Sequence, residues 1–138
     1  MKINILLLSI IISFFSNHVL AKSEYFQEGI NLFKDKKYED AKFKFEQDIV
    51  FNPKNEKSYL YLSKIFNLQD EKDLEEKNLM TVILLNPKNE DAVFSLAKLK
   101  LNDSDYKESK KLIDRLLNFC KSYCQKSKKL KIEIENSL

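Results

Sequence analysis

Cysteines are the residues of this chain with the most chemistry to offer, and the chain has two of them. Cys120 and Cys124 stand four residues apart in the stretch NFCKSYCQKSKKL. Neighbouring cysteines form a disulfide in an oxidising compartment and stay reduced in the cytosol. On an intact helix, Cβ atoms at this spacing lie about 5–6 Å apart, farther than the ~3.8 Å of a bridge. A disulfide therefore requires a break in the helix, and free thiols stay the alternative.

The other residue types offer little catalytic or metal-binding chemistry. The single histidine, His18, lies in the apolar N-terminal stretch, so the rest of the chain lacks the usual general base and commonest metal ligand. A zinc site would need two further soft ligands beside the cysteines, and a redox pair would favour a Cys-x2-Cys spacing. Paired carboxylates such as Glu75 and Glu76 are interpreted as solvated helix faces. We expect a protein that is not an enzyme and needs no cofactor.

The first 21 residues have the pattern of a secretory signal peptide. Lys2 supplies a positive charge, residues 3–15 form an apolar core of 13 residues, and Val19-Leu20-Ala21 is a small-residue cleavage site. The apolar core is shorter than the roughly 20 residues that span a bilayer. We expect cleavage after Ala21 and a periplasmic or secreted protein, with an uncleaved N-terminal membrane anchor as the alternative.

The remainder of the chain has an all-helical composition, with two prolines and one glycine in 138 residues. The Asn-Pro pairs at 52–53 and 86–87 end helices, and Asp70 and Ser104-Asp105 are the expected N-caps of later ones. Short connections between consecutive helices favour antiparallel pairs. The apolar periodicity predicts helices near 23–35, 38–51, 55–68, 71–85, 89–101, 105–120 and 125–136.

A repeat organises these helices. The pentad NPKNE occurs at Asn52–Glu56 and again at Asn86–Glu90, 34 residues later. With the chain aligned on that period, the first unit carries Tyr25, Gly29, Leu32, Tyr38, Ala41-x3-Phe45 and Pro53. This pattern resembles the tetratricopeptide repeat family, whose unit is a helix-turn-helix of 34 residues. The second and third units are more degenerate, and Glu75 replaces the small residue at which the paired helices cross, which predicts a splayed pair or a shifted register.

The resemblance implies an all-α fold, a right-handed α-solenoid of about three such repeats with a C-terminal capping helix. The predicted repeats cover residues 22–55, 56–89 and 90–123, and the capping tail covers 124–138. In the tail, Leu130, Ile132 and Ile134 are the expected packing residues. Three units are about the minimum at which stacked helix pairs bury a continuous core. The chain is thus identified as a small, exported, bacterial member of the family.

The resemblance also implies a partner-binding groove. In tetratricopeptide repeat proteins the first helices of successive pairs line a concave groove that takes extended peptides or a partner's helix. The corresponding residues here are Phe26, Ile30 and Phe33, then Leu60, Lys64 and Asn67, then Phe94, Lys98 and Leu101. An apolar stripe flanked by lysine and asparagine suits an apolar or acidic peptide. Two alternatives stay open: the aromatic residues belong to the core, or the tail fills the groove.

The charge pattern narrows the class of partner. With 24 basic and 21 acidic residues, the chain is too nearly neutral for a dedicated nucleic-acid binder. The stretch 107–131 carries nine basic and two acidic residues. We interpret it as a solvated, lysine-rich helix face, with contact to a membrane surface as the less favoured alternative.

Together these patterns predict a non-catalytic adaptor or scaffold of the bacterial envelope, which binds a peptide or helix of another envelope protein. One alternative is a structural subunit packed permanently into an envelope assembly for outer-membrane biogenesis, secretion or pilus formation. Another is an accessory role in cytochrome or thiol maturation.

Overall fold

The computed structural model describes residues 24–137, and the predicted signal peptide lies outside them. Within that range the chain forms seven α-helices and no strand. The first helix, α1, covers 24–34. It is followed by α2 (Tyr38–Phe51), α3 (Glu56–Leu68), α4 (Lys72–Leu85), α5 (Glu90–Asn102), α6 (Tyr106–Leu117) and α7 (Cys124–Asn136). None of the helices in residues 24–137 is long and apolar enough to cross a membrane.

The chain divides into two compact units between Ser58 and Tyr59, inside α3. In the first unit, α1 and α2 pack around Ala41 and Phe45, both fully buried. In the second unit, α4 packs on α5, α5 on α6, and α7 on both α5 and α6. The core of this unit is aliphatic and includes Leu79, Val82, Val93, Leu96, Ala97, Leu112, Ile113 and Leu116.

The C-terminal helix α7 joins that core through one face. Leu130 and Ile134, one helical turn apart, are 6% and 0% exposed. The prediction that Ile132 packs beside them is wrong, because Ile132 is 59% exposed. Residues spaced two apart on a helix point about 200° away from each other, so Ile132 cannot share the face of its two neighbours.

The turn inside each helix pair depends on one residue with a left-handed backbone. These residues are Lys36, Asp70 and Ser104, with φ near 60°, and they follow one another at the repeat spacing. In each turn the next N–H donates to a carbonyl five residues back, Lys37 to Leu32, Glu71 to Phe66 and Asp105 to Lys100. This is the Schellman pattern, which satisfies carbonyls at a helix end.

This geometry corrects the expected N-caps. Asp70 and Ser104 occupy the left-handed position, one residue before the N-caps Glu71 and Asp105, so they do not cap. Asp105 does cap α6, because its carboxylate accepts the N–H of Glu108 at 3.1 Å.

Glycine at a left-handed position should stabilise the protein. The left-handed conformation costs an ordinary residue about 1–2 kcal/mol, which glycine avoids at some loss of chain entropy. We expect Lys36→Gly or Ser104→Gly to raise the free energy of unfolding by roughly 0.5 kcal/mol in urea denaturation. The matched control is Lys37→Gly, where φ is −84° and no gain is expected. A loss of stability in both test variants would contradict the role of these turns.

Small residues allow the paired helices to approach closely. Gly29, Ser63 and Ala97 occupy equivalent positions of the three repeats, and all three are buried. A Cβ atom at Gly29 would lie 2.7 Å from Cε1 of Phe45, nearer than carbon atoms pack. At the third crossing, the Ser109 hydroxyl donates to the carbonyl of Ala97 at 2.7 Å. Gly29 therefore leaves the space that the Phe45 ring occupies at the first crossing.

Glu75 occupies the crossing position of the second repeat, where the first and third repeats have Ala41 and Ser109. It is 6% exposed, and Leu79, one turn later, is 1% exposed, so the register of α4 is not shifted. The Asn67 amide donates to the Glu75 carboxylate at 3.0 Å. The interpretation of Glu75 as part of a solvated helix face is therefore wrong. A buried carboxylate is tolerated at this crossing because it has that hydrogen bond.

Removing the space beside Gly29 should destabilise the first helix pair. Gly29→Ala improves helix propensity but forces a methyl group onto Phe45, and overpacking of this kind costs about 1–3 kcal/mol. We expect a lower free energy of unfolding in urea denaturation. The cost of Gly29→Ala should shrink in a Phe45→Leu background, which imitates the Leu79 of the second repeat. An equal cost in both backgrounds would contradict the contact.

The two NPKNE pentads form equivalent seams with different interiors. In both, the N–H of the second asparagine donates to the carbonyl of the first at 3.0 Å. At the first seam, the buried Asp48 carboxylate accepts from the Asn55 amide at 2.6 Å and from the Ser58 hydroxyl at 2.5 Å. At the second seam the equivalents of Asp48 and Ser58 are Val82 and Ala92, both fully buried. The interior of the first seam is thus filled by a hydrogen-bonded polar network, and the interior of the second by apolar side chains.

Candidate functional site

The break in the chain after α6 is closed by a disulfide. Cys120 and Cys124 are bonded, with their Cα atoms 5.3 Å apart. Helix α6 ends at Leu117 rather than near residue 120, and α7 begins at Cys124. The helix therefore breaks between the cysteines, as the geometry of a bridge requires. We call residues 120–124 the disulfide loop.

The carboxylate of Glu90 holds this loop from the start of α5. It accepts three successive backbone N–H groups, from Lys121 at 2.8 Å, Ser122 at 2.9 Å and Tyr123 at 2.8 Å. Three amide donors pointing at one anion form a strong, charge-assisted arrangement. Burial alone would raise the pKa of Glu90, but the three backbone hydrogen bonds outweigh it and hold that pKa below its usual value. These amides belong to the three residues just before α7, so Glu90 fixes the backbone that leads into that helix.

Tyr123 is placed over α5 by this loop. Its ring centroid lies 5.3 Å from that of Phe94, and the ammonium of Lys126 lies 5.0 Å from the Tyr123 centroid. Burial first, and then the charge of Asp91 and a hydrogen bond to it, raise the pKa of Tyr123. The Lys64 ammonium contacts the same Asp91 carboxylate at 2.6 Å. Asp91 therefore links α3, α5 and the disulfide loop.

Most predicted groove residues of the second and third repeats share one face. Leu60, Lys64 and Asn67 recur along α3 at helical spacing, as do Phe94 and Lys98 along α5. We call these five residues, with Tyr123, the α3–α5 face. Lys98 and Asn67 are exposed, Lys64 is half-buried, and Leu60 and Phe94 pack against the core with part of their surfaces. Leu101 is 9% exposed and belongs to the core of the second unit.

The predicted groove residues of the first repeat lie on α1. Phe26, Ile30 and Phe33 are half-buried. The ring centroid of Phe26 is 5.9 Å from that of Phe45, and Phe33 meets Tyr38 edge to face at 5.4 Å. The first unit thus uses part of each aromatic surface for its own packing. That these residues bind a partner stays a prediction.

Comparison with solved structures identifies the architecture. The first tetratricopeptide repeat domain of Spaghetti (RPAP3), bound to the HSP90 peptide SRMEEVD, superposes with a TM-score of 0.76 at 15% identity, over 86% of this chain and 93% of that one. The TPR2B domain of yeast Sti1, in a complex with pHsp70, gives 0.78 at 13%, over 86% and 99%. The chain has the tetratricopeptide-repeat fold. The predicted all-α solenoid is confirmed.

A bacterial protein is also similar. The type III secretion chaperone SycD of Yersinia enterocolitica, in complex with a peptide of the translocator YopD, gives a TM-score of 0.68 at 17% identity, over 84% of this chain and 88% of that one. No family model matches the sequence, and no curated protein matches it. Identities this low show a shared fold.

Three residues of the site escaped the sequence patterns: Glu90, Asp91 and Tyr123. The 34-residue period could have pointed to Tyr123 and the disulfide loop. Advancing the second pentad, residues 86–90, by 34 places brings it onto 120–124, so CKSYC occupies the position of a third NPKNE. Tyr123 then takes the place of the N-cap Asn89, and the disulfide closes a seam that the earlier repeats close with Asn-Pro.

Three of the nine basic side chains in the stretch 107–131 contact residues of the fold that are distant in sequence. Lys131 contacts Asp114 at 2.6 Å, and Lys110 contacts Glu135 at 3.1 Å. The guanidinium of Arg115 donates to the carbonyl of Pro87 at 2.7 Å. These contacts are part-exposed and contribute little stability each. The two ion pairs partly offset the positive charge of Lys110 and Lys131.

Neutralising Glu90 should loosen the disulfide loop and the start of α7. Because the folded-state pKa is lowered, Glu90 contributes stability above its unfolded pKa of about 4.3, and that contribution is lost as the pH falls through the folded value. We expect Glu90→Gln to speed amide hydrogen exchange at residues 121–123 at pH 7. The difference from the unaltered protein should vanish under acid conditions, where Glu90 is itself protonated.

The matched control is Glu133→Gln, an exposed carboxylate on α7. It should leave exchange in the disulfide loop unchanged. Equal protection of residues 121–123 in Glu90→Gln and the unaltered protein at pH 7 would show that the disulfide alone orders the loop.

Proposed function

We propose that this chain is a non-catalytic protein-interaction adaptor that binds a peptide or helix of another protein on the α3–α5 face. Two of the solved neighbours with this fold carry peptides, SRMEEVD in one and a translocator segment in the other. Residues 24–137 hold no group of three or more side chains suited to a metal ion. The shared fold and those peptide complexes support binding as the activity.

One observation carries the proposal: an aromatic pair stands beside an exposed lysine, Lys98, on this face. Phe94 and Tyr123 present adjacent rings at 5.3 Å, and Lys98, one helical turn beyond Phe94, is exposed. Aromatic residues supply large contact area with few rotatable bonds, which suits a binding surface. A segment that places an apolar side chain on the ring pair and an acidic side chain near Lys98 fits this arrangement.

The internal contacts of the face sharpen that chemistry. Lys64 contacts Asp91, and Asn67 contacts Glu75, so two of the potential donors to an acidic ligand already have carboxylate partners. Lys98 lies near enough to Glu75 to lower its pKa, although burial has the larger effect and raises it. The proposed ligand is therefore an apolar segment that carries one acidic side chain, and not a strongly acidic segment.

We further propose that the adaptor works in the bacterial envelope, as a periplasmic or secreted protein. The N-terminal pattern of Lys2, the apolar core and Ala21 supports export. The disulfide between Cys120 and Cys124 supports an oxidising compartment. A structural subunit of an envelope assembly stays the second candidate, because the tetratricopeptide fold serves permanent packing equally well.

Capture from an envelope extract, followed by titration of the captured segment, tests the proposal. We expect Lys98→Glu and Phe94→Ala each to weaken binding about tenfold, or 1.4 kcal/mol, by losing the ionic contact and the ring surface. The exposed Lys107→Glu, on α6, is the matched control and should bind normally. Thermal melting checks that Phe94→Ala stays folded.

The outcome separates the two candidates. A stable complex that survives both variants on the α3–α5 face would favour the structural subunit. A captured protein that lacks affinity for the purified chain would contradict the adaptor.

A further inference from the structure

A second surface of the molecule has no role in the proposed function. It is a groove of about 860 Å³ between α4 and α6. Its floor is apolar and includes Ile83, Leu96 and Leu112. Beside the floor, α4 carries Met80, which is 56% exposed, and Leu84, which is 81% exposed. Large apolar side chains this exposed, next to an apolar groove, are typical of an interaction site.

The two ends of the groove differ in charge, because α4 and α6 run parallel. At their starts, Lys72 of α4 contacts Asp103, just before α6, at 2.9 Å. At their ends, Arg115 of α6 donates to the carbonyl of Pro87, just after α4, at 2.7 Å. The starting end of the groove is lined by three carboxylates, Asp73, Glu76 and Glu108, and by Lys77, whereas the finishing end is lined by Arg115. Glu76 already contacts Lys100 at 2.6 Å, and Glu108 contacts Lys111 at 3.1 Å. Asp73 is therefore the carboxylate of the acidic end that a mate reaches without breaking either ion pair.

We propose that a second copy of this chain occupies the groove, in a two-fold symmetric pair. A two-fold axis across the groove reverses its direction, so the acidic end of one copy faces the Arg115 end of the other. The same operation places the Met80 and Leu84 ridge of each copy over the apolar floor of its mate. An isologous interface must be self-complementary in this way.

The charge pattern favours a copy over an unrelated helix. A helix with one sign of charge along its flanks would match only one end of this groove, because carboxylates line one end and Arg115 lines the other. The mate matches both ends, because each copy supplies both signs. The interface does not use Phe94, Lys98 or Tyr123, so it leaves the α3–α5 face available to a partner. If the chain does not dimerise, the proposed binding on the α3–α5 face is unaffected. If that face binds no partner, the proposed dimer is unaffected.

The repeat supplies a matched control for the ridge. Val50 occupies the position of Leu84 one period earlier and is 74% exposed, but it does not line the groove. A charge placed at Val50 shows the effect of charging an exposed apolar position outside the groove. A charge at Leu84 adds to this the effect on the proposed interface. Both positions lie on the exposed side of a helix, so neither substitution should impair folding, and thermal melting checks this.

Sedimentation equilibrium of the processed chain, with its disulfide intact, tests the proposal. We expect a monomer–dimer equilibrium between micromolar and millimolar concentrations. Leu84→Glu should raise the dissociation constant at least tenfold, and Val50→Glu should leave it unchanged. A monomer throughout that range, or a dimer that Leu84→Glu leaves intact, would overturn the proposal. Higher oligomers that do not stop at two would overturn the two-fold arrangement.

A charge exchange then tests the orientation. Asp73→Arg alone and Arg115→Asp alone should each weaken the dimer, since each places like charges at both ends of the interface. The two substitutions in one chain restore opposite charges across the two-fold axis, so the dissociation constant should recover. If the loss of dimerisation free energy in the double variant equals the sum of the losses in the two single variants, the copies do not pair in this orientation.

Discussion

Close contact between paired helices is the constraint on which this fold depends. The space at the first crossing is so tight that a Cβ atom on Gly29 would reach within 2.7 Å of the Phe45 ring. Helices that cross at this distance bring large side chains from both sides into one layer, and Phe45, Leu79 and Ile113 are accordingly at most 1% exposed. Packing at this density tolerates little change of volume, so the crossing positions restrict the sequence more than the surrounding helix faces do.

The seams between helices follow from the same need for compact connections. Inside a pair, a left-handed residue and one Schellman turn reverse the chain in about three residues. Between the first pairs, an Asn-Pro step and an asparagine-centred turn make the connection. At the third seam, a disulfide and the Glu90 carboxylate replace these elements. Glu90 is the last residue of the second pentad, so a residue of the second seam holds the backbone of the third. Its hydrogen bonds to residues 121–123 also fix the position of Tyr123.

The fold could be predicted from the sequence because the 34-residue period involves many positions at once. The pentads, Gly29 and Ala41 all indicated the same helix-turn-helix unit. The predicted helix ends differ from the observed ones by at most three residues. The exceptions have local causes. Asp70 and Ser104 resemble N-caps in composition, but the chain uses them in a left-handed turn, which composition alone does not reveal. Ile132 is apolar, but its position on α7 points it to solvent.

The candidate site was harder to predict, because its contacts join residues that are distant in sequence. The hydrogen bonds from 121–123 to Glu90 span more than thirty residues and involve backbone donors, which every sequence possesses. Lys64 and Asn67 were expected to be available for a ligand. The structure gives Lys64 a carboxylate partner on α5, Asp91, and gives Asn67 one on α4, Glu75. No local pattern predicts these pairings between helices.

These carboxylates determine what an acidic ligand would gain on the α3–α5 face. A ligand that takes Lys64 must leave Asp91 without its ion pair, and one that takes the Asn67 amide must leave Glu75 without its hydrogen bond. Only the difference between the old and the new contact then favours binding. Lys98 differs, because it is exposed and acts on the buried Glu75, whose pKa is raised by burial, so that Glu75 loses its charge more readily than an ordinary glutamate does. As the pH falls, Glu75 is neutralised before exposed acidic side chains are, and the field of Lys98 is less opposed. If the α3–α5 face binds a segment as proposed, an acidic side chain would be held best at Lys98, and the rest of the affinity would come from apolar contact with Phe94 and Tyr123.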